Sequence, residues 1–271
     1  MKWLYDLIMG AVKGCYTMFF NGLNNVNNTL NVDMISELST SIDTVQTVMK
    51  GVCTAVMTIF MLLELISMIE KEDIDEKFIF KMIMKLGFTR FLIYYAPQLM
   101  ELIGLTANFW CSELYLTSVD GGAVLAEIEA TVANAIPENG SGIWGMITAT
   151  LQQLFGAVPL LLQSVIVLVA YIFISVFPMA RNVEMVLLTA VSALPICFIT
   201  YSGTKEITKK FFLKYTSVCL QGVLLMVCVS VYFGLVSYAG SDMWQLTLYN
   251  ILLIIMVAKT GTWSKEILGL A

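Results

Sequence analysis

The sequence predicts an all-α membrane protein: a polytopic helix bundle of about six transmembrane helices, with a candidate seventh, preceded by an N-terminal amphipathic helix lying in the membrane interface. Three observations lead there. Of the 271 residues, 58% are hydrophobic and only 13% charged, whereas soluble domains carry about 45–50% apolar and about 25% charged residues. Several windows run for the roughly 20 apolar residues that cross a hydrocarbon core of about 30 Å. The charges are also segregated. All fifteen Lys and Arg fall within 1–90 or 181–271, and the stretch between holds only acids, Glu101, Glu113, Asp120, Glu127, Glu129 and Glu138. A chain with net charge −5 and this distribution lacks the usual basic nucleic-acid surface.

Residues 1–43 form the N-terminal region. In MKWLYDLIMGAVKGCYTMFF, at 100° per residue, Lys2, Asp6, Lys13 and Thr17 share one stripe, and Trp3, Leu4, Leu7, Ile8, Val12 and Phe19 lie opposite. Such a helix prefers the membrane interface; a packing helix laid against the bundle fits the same pattern. Asp6 and Lys13 interrupt the apolar stretch, so no cleavable signal peptide is expected. The Asn-rich NGLNNVNNTLNVD (21–33) reads as a loop, because Asn side chains compete for backbone hydrogen bonds.

Residues 44–116 make the first transmembrane group. A strong span covers 49–69, with Glu64 near one end, and EKEDIDEK (70–77) forms a charged turn in water. In 78–96, Lys81 and Lys85 share a face and can snorkel to the rim. Arg90 points the opposite way and sits deeper, which requires a protein partner or a shallow setting. Pro97 is expected to break the helix before 99–116, leaving one crossing or two. Residues 117–142 are an acidic soluble loop containing a short helix, GAVLAEIEATVANA.

The second group spans 143–260, followed by a short tail, 261–271. Residues 143–158, with Gln152 and Gln153, are the candidate seventh element, and Pro159 marks a kink. Spans follow at about 159–179, 183–200, 214–238 and 244–259. Lys205, Lys209, Lys210 and Lys214 form a basic loop (203–214), which the positive-inside rule puts in the cytoplasm together with the 70–77 turn and the C-terminus. Those lysines either fix topology or also contact a partner or anionic lipid. The side of the acidic loop depends on whether 143–158 crosses. The location expected is the cell membrane.

Little points to catalysis. No Asp lies inside a strong span, no G-x-S-x-G or P-loop occurs, and the chain has no histidine. Cys15, Cys53, Cys111, Cys197, Cys219 and Cys228 are scattered through apolar segments and read as small buried hydrophobes. No enzyme activity, cofactor or metal is expected. The polar residues at membrane depth are Glu64, Arg90, Arg181, Glu184, Gln221, Gln245 and Asn250, and intramembrane charge is the default functional pointer. Arg181 and Glu184, three apart on one helical face, can bond each other and are expected to face the bundle between Pro178 and Pro195, shaping a polar seam that extends to Gln221. The two halves share no repeat of the kind secondary transporters show, so a stand-alone channel or transporter is the alternative reading, with a membrane scaffold as a third.

Taken together, Arg181-x-x-Glu184, the apolar stretch to Pro195, and FFLKYTSVCLQG with Phe212, Tyr215, Gln221 and Gly222 resemble the TrbL-like conjugal transfer proteins, polytopic inner-membrane components of type IV secretion systems. WLYDLIMGAVKGCYTMFFNGL, the Asn-rich linker and LLELISMIEKEDIDEKFIFKMIMK are similar to versions on conjugative elements of Gram-positive bacteria. The resemblance implies a translocation-channel subunit or assembly platform that oligomerises in the lipid bilayer. It implies work beside an energising ATPase and other secretion subunits, with single-stranded DNA bound to a relaxase as cargo. Relatives often carry a longer extracytoplasmic loop or polar tail, so no role resting on a large soluble domain carries over.

Overall fold

A computed structural model describes residues 2–31, 34–69, 76–116, 143–239 and 243–270, and among these every long element is helical. The helices are α1 (Lys2–Asn31), α2 (Met34–Glu37), α3 (Ser39–Ile69), α4 (Glu76–Leu116), α5 (Ile143–Ala190), α6 (Ala193–Cys197), α7 (Lys205–Ala239) and α8 (Met243–Ile267). Two single 3₁₀ turns, Phe198–Thr200 and Ser202–Thr204, join α6 to α7. The acidic loop 117–142 and most of the 70–77 turn lie outside the described residues, as do the side chains of Gln152 and Gln153.

Four expected breaks are absent. The Asn-rich segment is helical to Asn31, because Leu23, Val26 and Leu30 continue the buried stripe begun by Val12, Tyr16 and Phe19. Asparagine costs a helix only a few tenths of a kcal/mol per residue, so that stripe prevails, with Asn24, Asn25 and Asn28 on the exposed side. Pro97 sits inside α4, which runs unbroken for 41 residues. Ile93, Ala96 and Met100 around it are buried, and packing of that kind offsets the one hydrogen bond a proline removes. Residues 78–116 are thus a single helix. Likewise α5 passes through Pro159 and Pro178, merging the expected spans 159–179 and 183–200 as far as Ala190. Its 48 residues reach about 72 Å at 1.5 Å per residue. Finally, the basic loop is helical from Lys205 onward, and Lys205, Lys209, Lys210 and Lys214 are all exposed on the first turns of α7.

The chain forms two compact units. The first comprises Met1–Asn31, Trp110–Met179 and Val223–Thr260. Its core is aromatic: Phe19 meets Tyr232 edge-on with centroids 5.8 Å apart, and Phe20 lies 6.5 Å from Phe233. Val167, Ala170 and Ile174 of α5 and Leu253 and Val257 of α8 close around them. From Val12 onward, then, α1 behaves as a packing helix, with Lys13 and Thr17 left on its exposed side. Gly22 lets α1 approach α5 closely, since a β-carbon there would stand 2.8 Å from the Tyr171 ring.

The second unit comprises Val32–Phe109, Ala180–Gly222 and Gly261–Ala271. It holds two apolar clusters. In one, Cys53 and Met57 of α3 and Ile93 and Ala96 of α4 pack on Ala193, Ile196 and Cys197 of α6. In the other, Met100, Met185, Tyr215, Val218 and Cys219 meet. Five of the six cysteines are buried, as small hydrophobes should be. The chain turns after α5 because Pro195 has no N–H for the Val191 carbonyl, which accepts instead from Leu194 at 3.1 Å. Thr208 then donates to the Pro195 carbonyl at 2.6 Å, and the ring of Phe60 stacks on Tyr201.

Among the described residues, four helical stretches are long and apolar enough to cross a membrane: Ser39–Ser67, Leu162–Ala190, Ser202–Tyr238 and Trp244–Ile267. In α3 only 17% of the apolar window is buried, and Ile59, Leu62, Leu63 and Ile66 lie exposed. Side chains of that kind suit contact with lipid. The charges of α4, Lys81, Lys85, Arg90, Glu101 and Glu113, set it apart from these four.

Candidate functional site

The second unit carries a polar seam through its apolar interior. Arg181, Asn182 and Thr189 of α5 and Ser192 just beyond it are all at least 98% buried. Thr189 and Ser192 satisfy themselves locally: the Thr189 hydroxyl donates to the Met185 carbonyl at 2.9 Å and the Ser192 hydroxyl to the Thr189 carbonyl at 2.8 Å. The same Thr189 carbonyl also accepts from Gln46 Nε2 of α3 at 2.9 Å. From α7, the Tyr215 hydroxyl donates to the Met100 carbonyl of α4 at 2.8 Å and lies 3.4 Å from Thr189 Oγ1. Four helices are tied to one another by side-chain bonds to backbone oxygens, whose second lone pairs remain available within a helix.

Arg181 departs from the expected pairing with Glu184. Its Nε donates to the Val218 carbonyl at 3.1 Å and its Nη2 to the Cys219 carbonyl at 3.5 Å. Room for the guanidinium exists because residue 222 is glycine: a β-carbon there would stand 2.4 Å from Arg181 Cζ. Glu184, one turn on, lies instead 3.8 Å from Lys214, both side chains about half exposed. The two residues sit about 60° apart around the helix axis by the 100° rule, near enough to share a broad face. Yet the chain resolves them inward and outward, because buried carbonyls on α7 offer the guanidinium acceptors that α5 lacks.

Glu184 and Lys214 open onto a cleft of about 700 Å³. Lys210 lies one turn before Lys214 on α7, and Lys265, from the last turn of α8, completes the cationic lining. Ser217 and Ser264 form the buried floor, their hydroxyl oxygens 3.0 Å apart. Gln221 lines the same cleft against Gly261, where a β-carbon would come within 3.4 Å of its amide nitrogen. With one acid against three lysines, the lining carries a formal charge of about +2 at neutral pH. Volumes of this order, about 300–1,000 Å³, are typical of small-molecule sites.

Other residues singled out by the sequence lie elsewhere. Glu64 of α3 accepts from Lys85 Nζ at 3.3 Å, from the Ser202 backbone N–H at 3.2 Å, and from the Ser202 hydroxyl. It thereby clasps α3, α4 and the turn before α7. Arg90 is exposed on α4 rather than seated deep against a partner. Pro195 acts through its carbonyl, as an acceptor for Thr208. Lys205 and Lys209 are exposed and do not line the cleft. Sequence reasoning takes Lys265 only as a topology signal and passes over Ser217 and Ser264, although small polar residues inside apolar helices are a known signal of close helix contact. The Glu64–Lys85 pair was more accessible, since the two sit at similar distances on either side of EKEDIDEK.

The clasp yields a prediction. Glu64→Gln retains an acceptor for Ser202 and loses the ion pair, whereas Glu64→Ala loses both. Glu64→Ala is expected to destabilise by about 2 kcal/mol and Glu64→Gln by about half that, read from thermal unfolding in mild detergent. Equal losses would show that the Ser202 bonds contribute nothing.

These features define an all-α membrane protein with a buried polar seam and a cationic cleft. Compared with known proteins, the chain matches no family model, no curated protein and no solved structure.

Proposed function

We propose that this protein is a channel or platform subunit of a conjugative type IV secretion system in the cell membrane, where it supports transfer of a DNA–protein substrate. One observation supports this reading most: the separated pieces of sequence that resemble TrbL-like proteins meet. Arg181 seats beside Gly222 on the carbonyls of Val218 and Cys219, and Glu184 shares a cleft with Lys214 and Gln221. Residues some 35 positions apart in that resemblance thus share one joint between α5 and α7.

On this reading the seam fixes how α5 lies on α7. The energising ATPase, further secretion subunits and a second copy of this chain are the expected partners. Single-stranded DNA with its relaxase makes transient contact.

The test is genetic. Deleting the gene in frame should abolish transfer of the conjugative element that carries it, and the wild-type chain should restore it. Arg181→Ala should fail to restore transfer even where the protein still reaches the membrane. Because Glu184 and Arg181 have different partners, a swap of those two charges should give no recovery. Undiminished transfer in the deletion strain would remove the proposal, and solute flux by the purified protein alone in liposomes would favour a stand-alone transporter.

A further inference from the structure

We infer that the cationic cleft of the second unit binds the phosphate headgroup of an anionic phospholipid. The first argument is charge. Glu184 offsets Lys214 at 3.8 Å, and among the described residues neither Lys210 nor Lys265 has a carboxylate within ion-pair distance. Two lysines from different helices, α7 and α8, thus face one cavity with their charge uncompensated. A phosphate carries the opposite charge and several acceptor oxygens, and basic pockets between transmembrane helices recognise such headgroups.

The second argument is the donor set. Lysine ammonium groups supply charge from the rim, whereas the floor offers the hydroxyls of Ser217 and Ser264, which are 97% and 99% buried. Their protons rotate freely, so the Ser217 hydroxyl can turn from Ser264 to a ligand oxygen without moving the backbone.

The third argument selects lipid over a soluble phosphate. Exposed apolar side chains neighbour the charged residues of the cleft on their own helices: Ile267 (62% exposed) two residues past Lys265 on α8, Ile207 (46%) one turn before Lys210 on α7, and Val183 (49%) and Leu187 (62%) flanking Glu184 on α5. A free anion has no use for those surfaces, whereas acyl chains of a seated lipid would cover them. The sequence alone could not separate these lysines from Lys205 and Lys209, which are equally basic but lie outside the cleft.

This inference requires only that the chain sits in a membrane. It stands or falls apart from the transfer reading, which the mating assay decides.

The experiment is native mass spectrometry of the full-length protein in mild detergent with phosphatidylglycerol or phosphatidylcholine, each at equal mole fraction. Retention of phosphatidylglycerol should exceed that of phosphatidylcholine. Lys210→Gln/Lys265→Gln should weaken phosphatidylglycerol binding about 25-fold, at about a factor of five per lysine. The charge-matched control, Lys205→Gln/Lys209→Gln, should change it less than about threefold, as exposed charges outside the site do. Should the first double variant not purify as a single species, Lys265→Gln alone gives the same reading at about fivefold. Equal retention of the two lipids, or equal loss in both double variants, would overturn the inference. So would displacement of phosphatidylglycerol by millimolar inorganic phosphate, which would mark a soluble anion as the ligand. Displacement by a single-stranded oligonucleotide would overturn it in favour of a nucleic-acid backbone.

Discussion

Gly222→Ala is expected to be the most damaging glycine-to-alanine substitution among the described residues. The added methyl would lie 2.4 Å from Arg181 Cζ and 2.7 Å from both Nε and Nη1, inside any tolerable contact. The guanidinium has nowhere close to go, because it is 98% buried and held by two carbonyls of α7. Either α7 moves off α5 or the charge leaves its acceptors. Overpacking costs about 1–3 kcal/mol, and stranding a buried charge about 3–5 kcal/mol, so a loss of about 3 kcal/mol or more is expected in detergent unfolding. The diagnostic is rescue. Arg181→Met removes the obstructing group, so Gly222→Ala/Arg181→Met should be more stable than Gly222→Ala alone. A double variant worse than either single would show that the clash is not the cause.

The second large effect belongs to the first unit. Tyr232 of α7 donates to Asn250 Oδ1 of α8 at 2.7 Å, both residues fully buried among phenylalanines and aliphatic side chains. The hydroxyl of Tyr16 on α1 also borders Asn250 and accepts from Gln163 of α5, so the network joins four helices. Asn250→Leu leaves the Tyr232 hydroxyl in an apolar core without its acceptor, at an expected cost of about 2 kcal/mol. Tyr232→Phe, which leaves the amide, should cost about 1 kcal/mol. Together they should cost less than the sum, since removing both ends strands neither. Strict additivity would show that the bond does not couple the two positions.

The α-helical class and the long apolar stretches were legible in the sequence because hydrophobic periodicity reports burial, and burial dominates. The stops were misread for the same reason. Prolines 97, 159 and 178 and the asparagines of 21–31 are weak local signals inside helices that run on through them, and around Pro97 and along Leu23, Val26 and Leu30 a buried stripe outweighs them. Arg181 is buried, but its acceptors are not legible in the sequence. Helical spacing reveals neighbours on one helix, whereas the acceptors it found are carbonyls on another, and a carbonyl leaves no trace in residue identity. Gly222 is the position whose missing side chain leaves room for that contact. The cleft was half legible: Lys210 and Lys214 stood out as a basic run, but Lys265 joins them only through the way α7 and α8 come together in the second unit.

That the carbonyls of Val218 and Cys219 hold Arg181 has a consequence for how the protein meets a changing environment. A carboxylate partner would lose its charge on acidification, and salt would screen it at the surface. An amide oxygen does neither, and an arginine side chain keeps its proton throughout the range a cell experiences. The carbonyls that hold Arg181 carry no ionisable proton, whereas the Glu184–Lys214 pair between the same two helices answers to every shift in ionic strength. A protein so made holds a fixed internal pivot while its charged rim remains free to respond.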